Sequence, residues 1–377
     1  MNERRLKLFF TVGRVFSPVY SLLMRLRAWL YRHDCLRRRK MLVPVISVGN
    51  LTMGGTGKTP LVMYVVRQLQ KLDYRPAILS RGYGRRRKAI AEGHTDGRAA
   101  RTEMGPTSRG RCRQTPLLVA DYDQLLLGPE TAGDEPALLA RTLPGVPVLV
   151  GSKRVASGCY AVDNLAADCL VLDDGFQHLA MIRDLDLALF SARDLPFLAR
   201  VFPGGPLREP WSALARANAL IITGVDEENR QEVIRFRHFL HNQFPATPCF
   251  VGQYRPIGLL VGDQSKTTPL ARGRNRSWYG FAGIAKPESF RQTLQRENFM
   301  VAGFRAFADH HSYTAADYQE LITAAQAQGA GGLITTEKDL VKIIPFADEY
   351  PLWALRVELF MEEAFDDFLR NFLRISH

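Results

Sequence analysis

The sequence predicts an α/β protein with three parts: a domain built on a parallel sheet, a smaller second α/β domain, and an amphipathic helix at the N-terminus. Three observations carry this. Strand-like apolar runs alternate with helical patterns along most of the 377 residues, which calls for a parallel sheet covered on both faces. The stretch VPVISVGNLTMGGTGKTPLVMYVVRQLQ, residues 43–70, reads as a β-branched strand, a glycine-rich turn, and a helix with Leu61, Val65 and Leu69 on one face. The first 40 residues, unlike the rest of the chain, are basic and apolar at helical spacing.

Composition narrows the function classes. At 46% hydrophobic, the chain has material for two cores. Its five cysteines (Cys35, Cys112, Cys159, Cys169, Cys249) are odd in number and form no CxxC pair. That argues against a disulfide framework or a structural zinc site and fits a reducing cytoplasm. The net charge of +12 is uneven: residues 1–40 carry eleven Lys/Arg against Glu3 and Asp34, and residues 85–115 carry nine against three acids. The remainder is slightly acidic, so a nucleic acid, which needs a basic folded face, is not an expected partner.

In the N-terminal segment 1–40, the non-apolar residues Lys7, Thr11, Arg14, Pro18, Ser21, Arg25 and Arg32 fall on one helical stripe. The rest is mostly Leu, Phe, Val, Tyr and Trp. A wide apolar face beside a narrow basic stripe suits a helix lying in a membrane interface; the alternative is a helix docked on the protein's own core. Arg14 and Pro18 interrupt the ~20 apolar residues that a span requires. The sequence LYRHDCLRRRK offers no small-residue cleavage site, so the segment is expected to stay attached. Trp29, Tyr31 and the cluster from Arg37 to Lys40 would meet anionic headgroups.

The first α/β domain is read over 41–224. After the opening strand–loop–helix come strands RPAILS, PLLVADY, VPVLVG, DCLVLDD, LDLALFS and NALIITG, with a helix at DEPALLARTL. Residues 86–115, rich in Gly, Arg, Thr and Ser, read as a flexible basic surface insert. A polar, Gly/Pro-marked stretch, 225–276, is taken as a linker. The second domain, 277–377, shows strand SWYGFAG, a helix with Pro287 in its first turn, strand FMVAGFRAF, a helix capped by Thr314 and Asp317, and strand GGLITT. The tail strand LWALRVEL and the helix after it are free to pack on either domain.

The turn after the first strand matches TxxxxGKT, a P-loop lacking its first glycine. Gly54, Gly55 and Gly57 allow backbone N–H groups to converge on phosphate oxygens; Lys58 reaches the β- and γ-phosphates, and Thr59 offers its hydroxyl to Mg²⁺. The first domain is therefore expected to be P-loop NTPase-like. Asp173 and Asp174, ending a hydrophobic strand, fit carboxylates that hold Mg²⁺. Asp134 and Glu135 stand at a helix start, where carboxylates also serve as caps. Asp309, His310 and His311 in FADHHSY suggest proton chemistry more than metal binding.

Seven motifs in order, VGNLTMGGTGKTP, LSRGYGR, GDEP, LDDGFQH, FPGGPLREP, FADHHSY and TTEKD, make the chain resemble the tetraacyldisaccharide 4′-kinases, the lipid A 4′-kinases of Gram-negative bacteria. The arginine-rich link between SRGYG and GDEP is longer than the family's usual one. The resemblance implies ATP and Mg²⁺, and transfer of the γ-phosphate to the 4′-hydroxyl of a tetraacylated glucosamine disaccharide 1-phosphate, giving lipid IVA. It also implies a place at the cytoplasmic face of the inner membrane, held by the N-terminal helix on anionic lipid, and a monomer is expected. By motif, Met53 to Thr59 (Met53, Gly54, Gly55, Thr56, Gly57, Lys58, Thr59), Tyr83 and Gln177 are assigned to the nucleotide. Asp134 is assigned as general base, with His310 raising its competence across the domain cleft and Lys58 stabilising the transferring group. Arg154, Arg208, Glu209 and His178 are candidate phosphate or substrate contacts, and Glu337, Lys338 and Asp339 a structural or closure motif. The alternative is a MinD-like membrane ATPase switch acting on a protein partner. Against it, the signature lysine of those loops falls on Met53.

Overall fold

A computed structural model describes residues 10–53, 57–82, 115–262, 266–309 and 311–375. Helix α1 (Ser17–Arg32) precedes strand β1 (Val45–Asn50), which leads through the glycine-rich turn into α2 (Lys58–Lys71). The first half continues with β2 (Pro76–Ser80), β3 (Leu117–Ala120), α3 (Asp134–Thr142), β4 (Val148–Val150), α4 (Arg154–Leu165), β5 (Cys169–Asp173), β6 (Leu185–Ser191) and β7 (Ala219–Thr223). β1 is buried at all six positions between β5 and β6, which is why its sequence is β-branched on both faces.

The stretch 225–276, expected as a linker, holds helix α5 (Arg230–Gln243) and the 13-residue strand β8 (Cys249–Val261). Val233, Phe236 and Leu240 line the buried face of α5 at helical spacing, a signal that the surrounding Arg, His and Gln mask. The second half adds β9 (Ser277–Ala282), α6 (Pro287–Arg296), β10 (Met300–Ala306), α7 (Ala315–Ala327), β11 (Leu333–Thr336), α8 (Glu337–Ile343), β12 (Leu352–Met361) and α9 (Glu363–Ile375). The Thr314–Asp317 capping box of α7 is present with both reciprocal bonds, 3.1 and 2.8 Å.

The described strands form one sheet of twelve, in the order β10-β9-β11-β12-β8-β7-β6-β1-β5-β2-β4-β3. Neighbours are parallel except β3 with β4 and β8 with β12. β8 is the seam. Its first residues pair with β7, Cys249 opposite Leu220, and its later residues pair with β12 from Gly252–Met361 to Val261–Trp353. A sheet edge with unpaired backbone is costly, and β8 satisfies the edges of both halves with one continuous strand. The tail then returns: Phe365, Leu369 and Leu373 of α9 are buried in the core that holds Ile46, Val65 and Val171. Each such side chain contributes roughly 1.5–3 kcal/mol on burial, so the C-terminal helix ties the second half to the first.

Candidate active site

The site is built where β1 ends. Gly57, the residue before α2, has φ +83, in the left-handed region that an L side chain resists. A Cβ there would collide with the Tyr254 hydroxyl of β8. Lys58 and Thr59 open α2, where free backbone N–H groups and the helix dipole favour an anion. Lys58 Nζ lies 3.5 Å from Asp174 Oδ1 and 3.5 Å from Asn50 Oδ1. The Met53 amide donates to the Pro206 carbonyl at 2.8 Å, fastening the loop to the FPGGPLREP segment. Gly54, Gly55 and Thr56 lie outside the described residues, as do Tyr83 and His310 and the insert through residue 114.

Asp173 ends the neighbouring strand, β5, which pairs with β1, and Asp174 follows it. Asp173 is 2% exposed; Ser80 Oγ donates to its Oδ2 at 3.1 Å, and its Oδ1 has no hydrogen-bond partner. Burial, with Glu135 and Asp174 adding like charge, pushes its carboxyl up to about 7. A buried carboxylate with an orphaned oxygen and acidic neighbours calls for a cation, so Asp173 is chemically suited to help hold a hard ion such as Mg²⁺. Asp174 adopts φ +54. Burial works to raise its carboxyl, but Lys58 and Arg208 overcome this and hold it below the usual carboxylate range. Arg208 Nη1 lies 3.0 and 2.9 Å from the two Asp174 oxygens and 3.4 Å from Gln177 Oε1, while Gln177 Nε2 donates to the Asn50 carbonyl at 3.0 Å. Lys58, Asp174, Arg208, Gln177 and Asn50 thus form one closed network between the end of β1 and the start of α2.

Two of the expected phosphate or substrate contacts, Arg154 and Glu209, serve as buried supports, and the third, His178, is held neutral. Arg154 is 3% exposed, and its Nη2 donates to the Asp173 carbonyl at 3.0 Å, so it braces the end of β5 from within. Glu209 is 2% exposed and bonded to Arg216 at 2.8 Å; Arg216 also stacks on Phe176 and donates to its carbonyl at 3.1 Å. Glu209 therefore anchors the loop carrying Arg208 and does not face an open site. His178 is pushed down to about 4 by burial and by Arg154, Arg183, Arg27 and Arg81, so its ring is neutral at physiological pH. A neutral imidazole brings no positive charge to a phosphate and can offer it only a single N–H.

The second half reaches the site through α8. Lys342 Nζ lies 3.9 Å from Asp134 Oδ2 on α3, 3.1 Å from buried Asp339 Oδ1, and donates to the His311 carbonyl at 3.0 Å. Asp339 Oδ2 accepts from the Gly283 amide at 3.0 Å and the Thr336 hydroxyl at 2.7 Å. One ammonium thus joins the GDEP, DHH and TTEKD motifs. Helices α3 and α8 are in contact through the Lys342–Asp134 ion pair, while His310, the expected partner of Asp134, lies outside the described residues.

A family model for tetraacyldisaccharide-1-P 4′-kinases matches residues 10–108 and 98–374 of the chain. The chain belongs to this 4′-kinase family. A tetraacyldisaccharide 4′-kinase from Desulfotalea psychrophila is 40% identical over 96% of this chain and 96% of its own length, and one from Syntrophus aciditrophicus is 36% identical over 89% and 85%. A crystal structure of LpxK from Aquifex aeolicus in complex with ATP superposes with TM-score 0.73 at 32% identity, covering 96% of this chain and 98% of that one. The family match over nearly the whole chain favours the kinase over the MinD-like switch alternative.

Within this 4′-kinase fold, sequence reasoning missed Asn50, Ser80, Glu135, Tyr254 and Lys342 as parts of the site. Asn50, Ser80 and Glu135 stood inside quoted motifs, and their roles depended on which strand ends became neighbours. Tyr254 and Lys342 carried no local signal, because each meets the site only through the seam strand β8 and helix α8.

Proposed function

We propose that the chain phosphorylates the 4′-hydroxyl of a tetraacyldisaccharide 1-phosphate at the expense of ATP, yielding lipid IVA, and does so at the cytoplasmic surface of the inner membrane. The observation that carries the reading is the family match over nearly the whole chain, joined to the Lys58–Asp174–Arg208 network at the phosphate-loop end of β1. The phosphate loop and the start of α2 would hold the ATP phosphates, with Lys58 opposing the charge on the γ-phosphoryl group. Asp173, Asp174 and Thr59 would hold Mg²⁺, which supplies further positive charge at the phosphate oxygens when bound.

Asp134 is the proposed base. Its carboxylate takes the proton of the 4′-hydroxyl as the sugar oxygen bonds to the γ-phosphorus and the bond to the β-phosphate oxygen breaks, releasing ADP. Two contacts favour this role: Lys342 pairs with the Asp134 carboxylate at 3.9 Å, and the same ammonium donates to the carbonyl of His311, the residue after His310. His310 is proposed to assist Asp134 by hydrogen bonding.

The membrane reading rests on α1 and the turn before it. Val15, Phe16, Val19, Leu22, Leu26 and Trp29 are 48–76% exposed. No helix among the described residues is long and apolar enough to cross a membrane, so the proposed attachment is interfacial. The deciding experiment incubates the protein in mild detergent with γ-labelled ATP, Mg²⁺ and tetraacyldisaccharide 1-phosphate. Label in a bis-phosphorylated lipid, lost with Lys58→Ala, is the expected result; ATP binding without lipid label would remove the proposal.

A further inference from the structure

Helix α1 has two faces, and only one is accounted for by a membrane. Its other face carries Ser17, Tyr20, Met24, Arg27 and Tyr31 at helical spacing, all buried or half-buried. Just before it, Gly13 meets Pro203 so closely that a Cβ would overlap the Pro203 carbonyl. Ser17 Oγ donates to the Val201 carbonyl at 2.6 Å, and Tyr20 packs edge-on against Phe202 at 5.6 Å. Two turns beyond Tyr20, Arg27 Nη2 donates to the Gln177 carbonyl at 3.0 Å.

These contacts fall on the two loops that flank the phosphate loop. The Val201–Arg208 segment gives the Pro206 carbonyl to the Met53 amide, and its Arg208 amide donates to the Leu51 carbonyl at 2.7 Å. Gln177 binds Asn50 and Arg208 with its side chain. The backbone of Gln177 therefore has its carbonyl on α1 while its side chain sits in the nucleotide network. We infer that Arg27 is a positioning residue: it fixes the Gln177 loop from the helix that also carries the exposed apolar face, so the seating of α1 sets the geometry of Gln177, Arg208 and Asp174.

The inference rests on the lipid-kinase reading for its biological meaning, but the contact has consequences that do not need the lipid. Among the described residues, Arg27 contacts neither Met53 nor Lys58; it acts through Gln177. A guanidinium that served only to attract anionic headgroups would affect vesicle binding and the KM for lipid. A positioning guanidinium affects kcat and ATP affinity instead.

The test compares the full-length wild type with Arg27→Met and Arg27→Lys. Three quantities are read: ATP affinity by calorimetry, kcat and KM for the lipid in detergent, and cosedimentation with phosphatidylglycerol vesicles. Arg27→Met is expected to lower kcat about tenfold or more and weaken ATP binding severalfold, with lipid KM and vesicle binding within about twofold of wild type. Arg27→Lys, which can still donate one bond to a carbonyl, is expected to recover part of both losses; this separates positioning from general misfolding. Unchanged kcat and ATP affinity in Arg27→Met, or a loss confined to vesicle binding and lipid KM, overturns the inference. An unfolded Arg27→Met leaves Arg27→Lys to decide: wild-type values or a pure lipid-KM effect in that variant also overturn it. A wild type that binds ATP but labels no lipid would instead remove the parent reading, and the ATP affinity of the variants would still decide the role of Arg27.

Discussion

Arg208 and Asp174 meet through a single guanidinium nitrogen that lies 2.9 and 3.0 Å from the two carboxylate oxygens, while Lys58 reaches Oδ1 of the same carboxylate at 3.5 Å. Asp174 holds φ +54, a conformation that costs a non-glycine residue about 1–3 kcal/mol. Two cations on one side chain keep that backbone in place. Arg208→Met is expected to lower kcat by about 10²-fold, the scale of losing a preorganised charge at a phosphoryl-transfer site. Arg208→Lys, which keeps the charge and carries its donors on a single nitrogen as the observed contact does, should recover part of the loss. A kcat within about threefold of wild type in Arg208→Met would remove Arg208 from the machinery.

Asp134 and Lys342 are coupled across the two halves at 3.9 Å. Asp134→Asn should reduce turnover by about 10²–10⁴-fold while ATP affinity stays within a few-fold, since general-base catalysis contributes on that scale. Lys342→Met should also lower kcat and, unlike Asp134→Asn, destabilise the fold, because it leaves the carboxylate of fully buried Asp339 without its counter-ion. Steady-state kinetics beside thermal melts separate the two; equal melts for both variants would contradict the assignment.

Asp173 ties stability to pH. Its folded-state carboxyl is raised to about 7 from an unfolded value near 3.8. Below pH 3.8 both states hold the proton; between about pH 4 and 7 only the folded state does, so this residue's contribution to stability is lost as pH rises through that window. Asp173→Asn is expected to abolish transfer yet raise Tm at about pH 8 in EDTA, with the gain vanishing near pH 4. Melting curves across pH check this, and a Tm lower than wild type on the alkaline side would contradict the buried-carboxylate account.

Gly57 admits no side chain. Gly57→Ala combines a strained φ of +83 with a collision against the Tyr254 hydroxyl. ATP affinity should fall by at least about tenfold, and adding Tyr254→Phe should restore only part of it, because the backbone strain of roughly 1 kcal/mol or more remains. Calorimetry on the single and double variants reads the two causes separately.

The outward face of α1 can be altered without disturbing its inward face. Leu22 and Leu26 are 67% and 48% exposed. Leu22→Ser with Leu26→Ser should weaken cosedimentation with anionic vesicles by about tenfold or more while ATP affinity is unchanged. Removing residues 1–31 is a poorer test, because it also deletes Ser17 and Arg27 from the loops they hold. Unaltered vesicle binding in the double variant would sink the interfacial role.

The local pieces of this protein are legible in its amino-acid order. The β-branched run before the glycine-rich turn, the Thr314–Asp317 box and the apolar spacing of Leu61, Val65 and Leu69 are each settled by neighbours a few residues away, and the structure shows strand, cap and buried helix face there. The seven motifs in order likewise pointed to the 4′-kinase family before any geometry was known. Which of those residues meet was settled by tertiary packing alone. Arg154 and Glu209 looked like phosphate contacts, yet both are buried as supports, because burial depends on what strand β5 and the Phe176 loop pack against. Lys342, Tyr254 and Arg27 carry no motif of their own, and their roles come from contacts spanning some 150 to 210 residues of chain. The joining of two expected sheets into one was equally hidden. A strand's side-chain pattern records what covers its faces, whereas its edge partners are chosen by backbone hydrogen bonds that every residue offers alike.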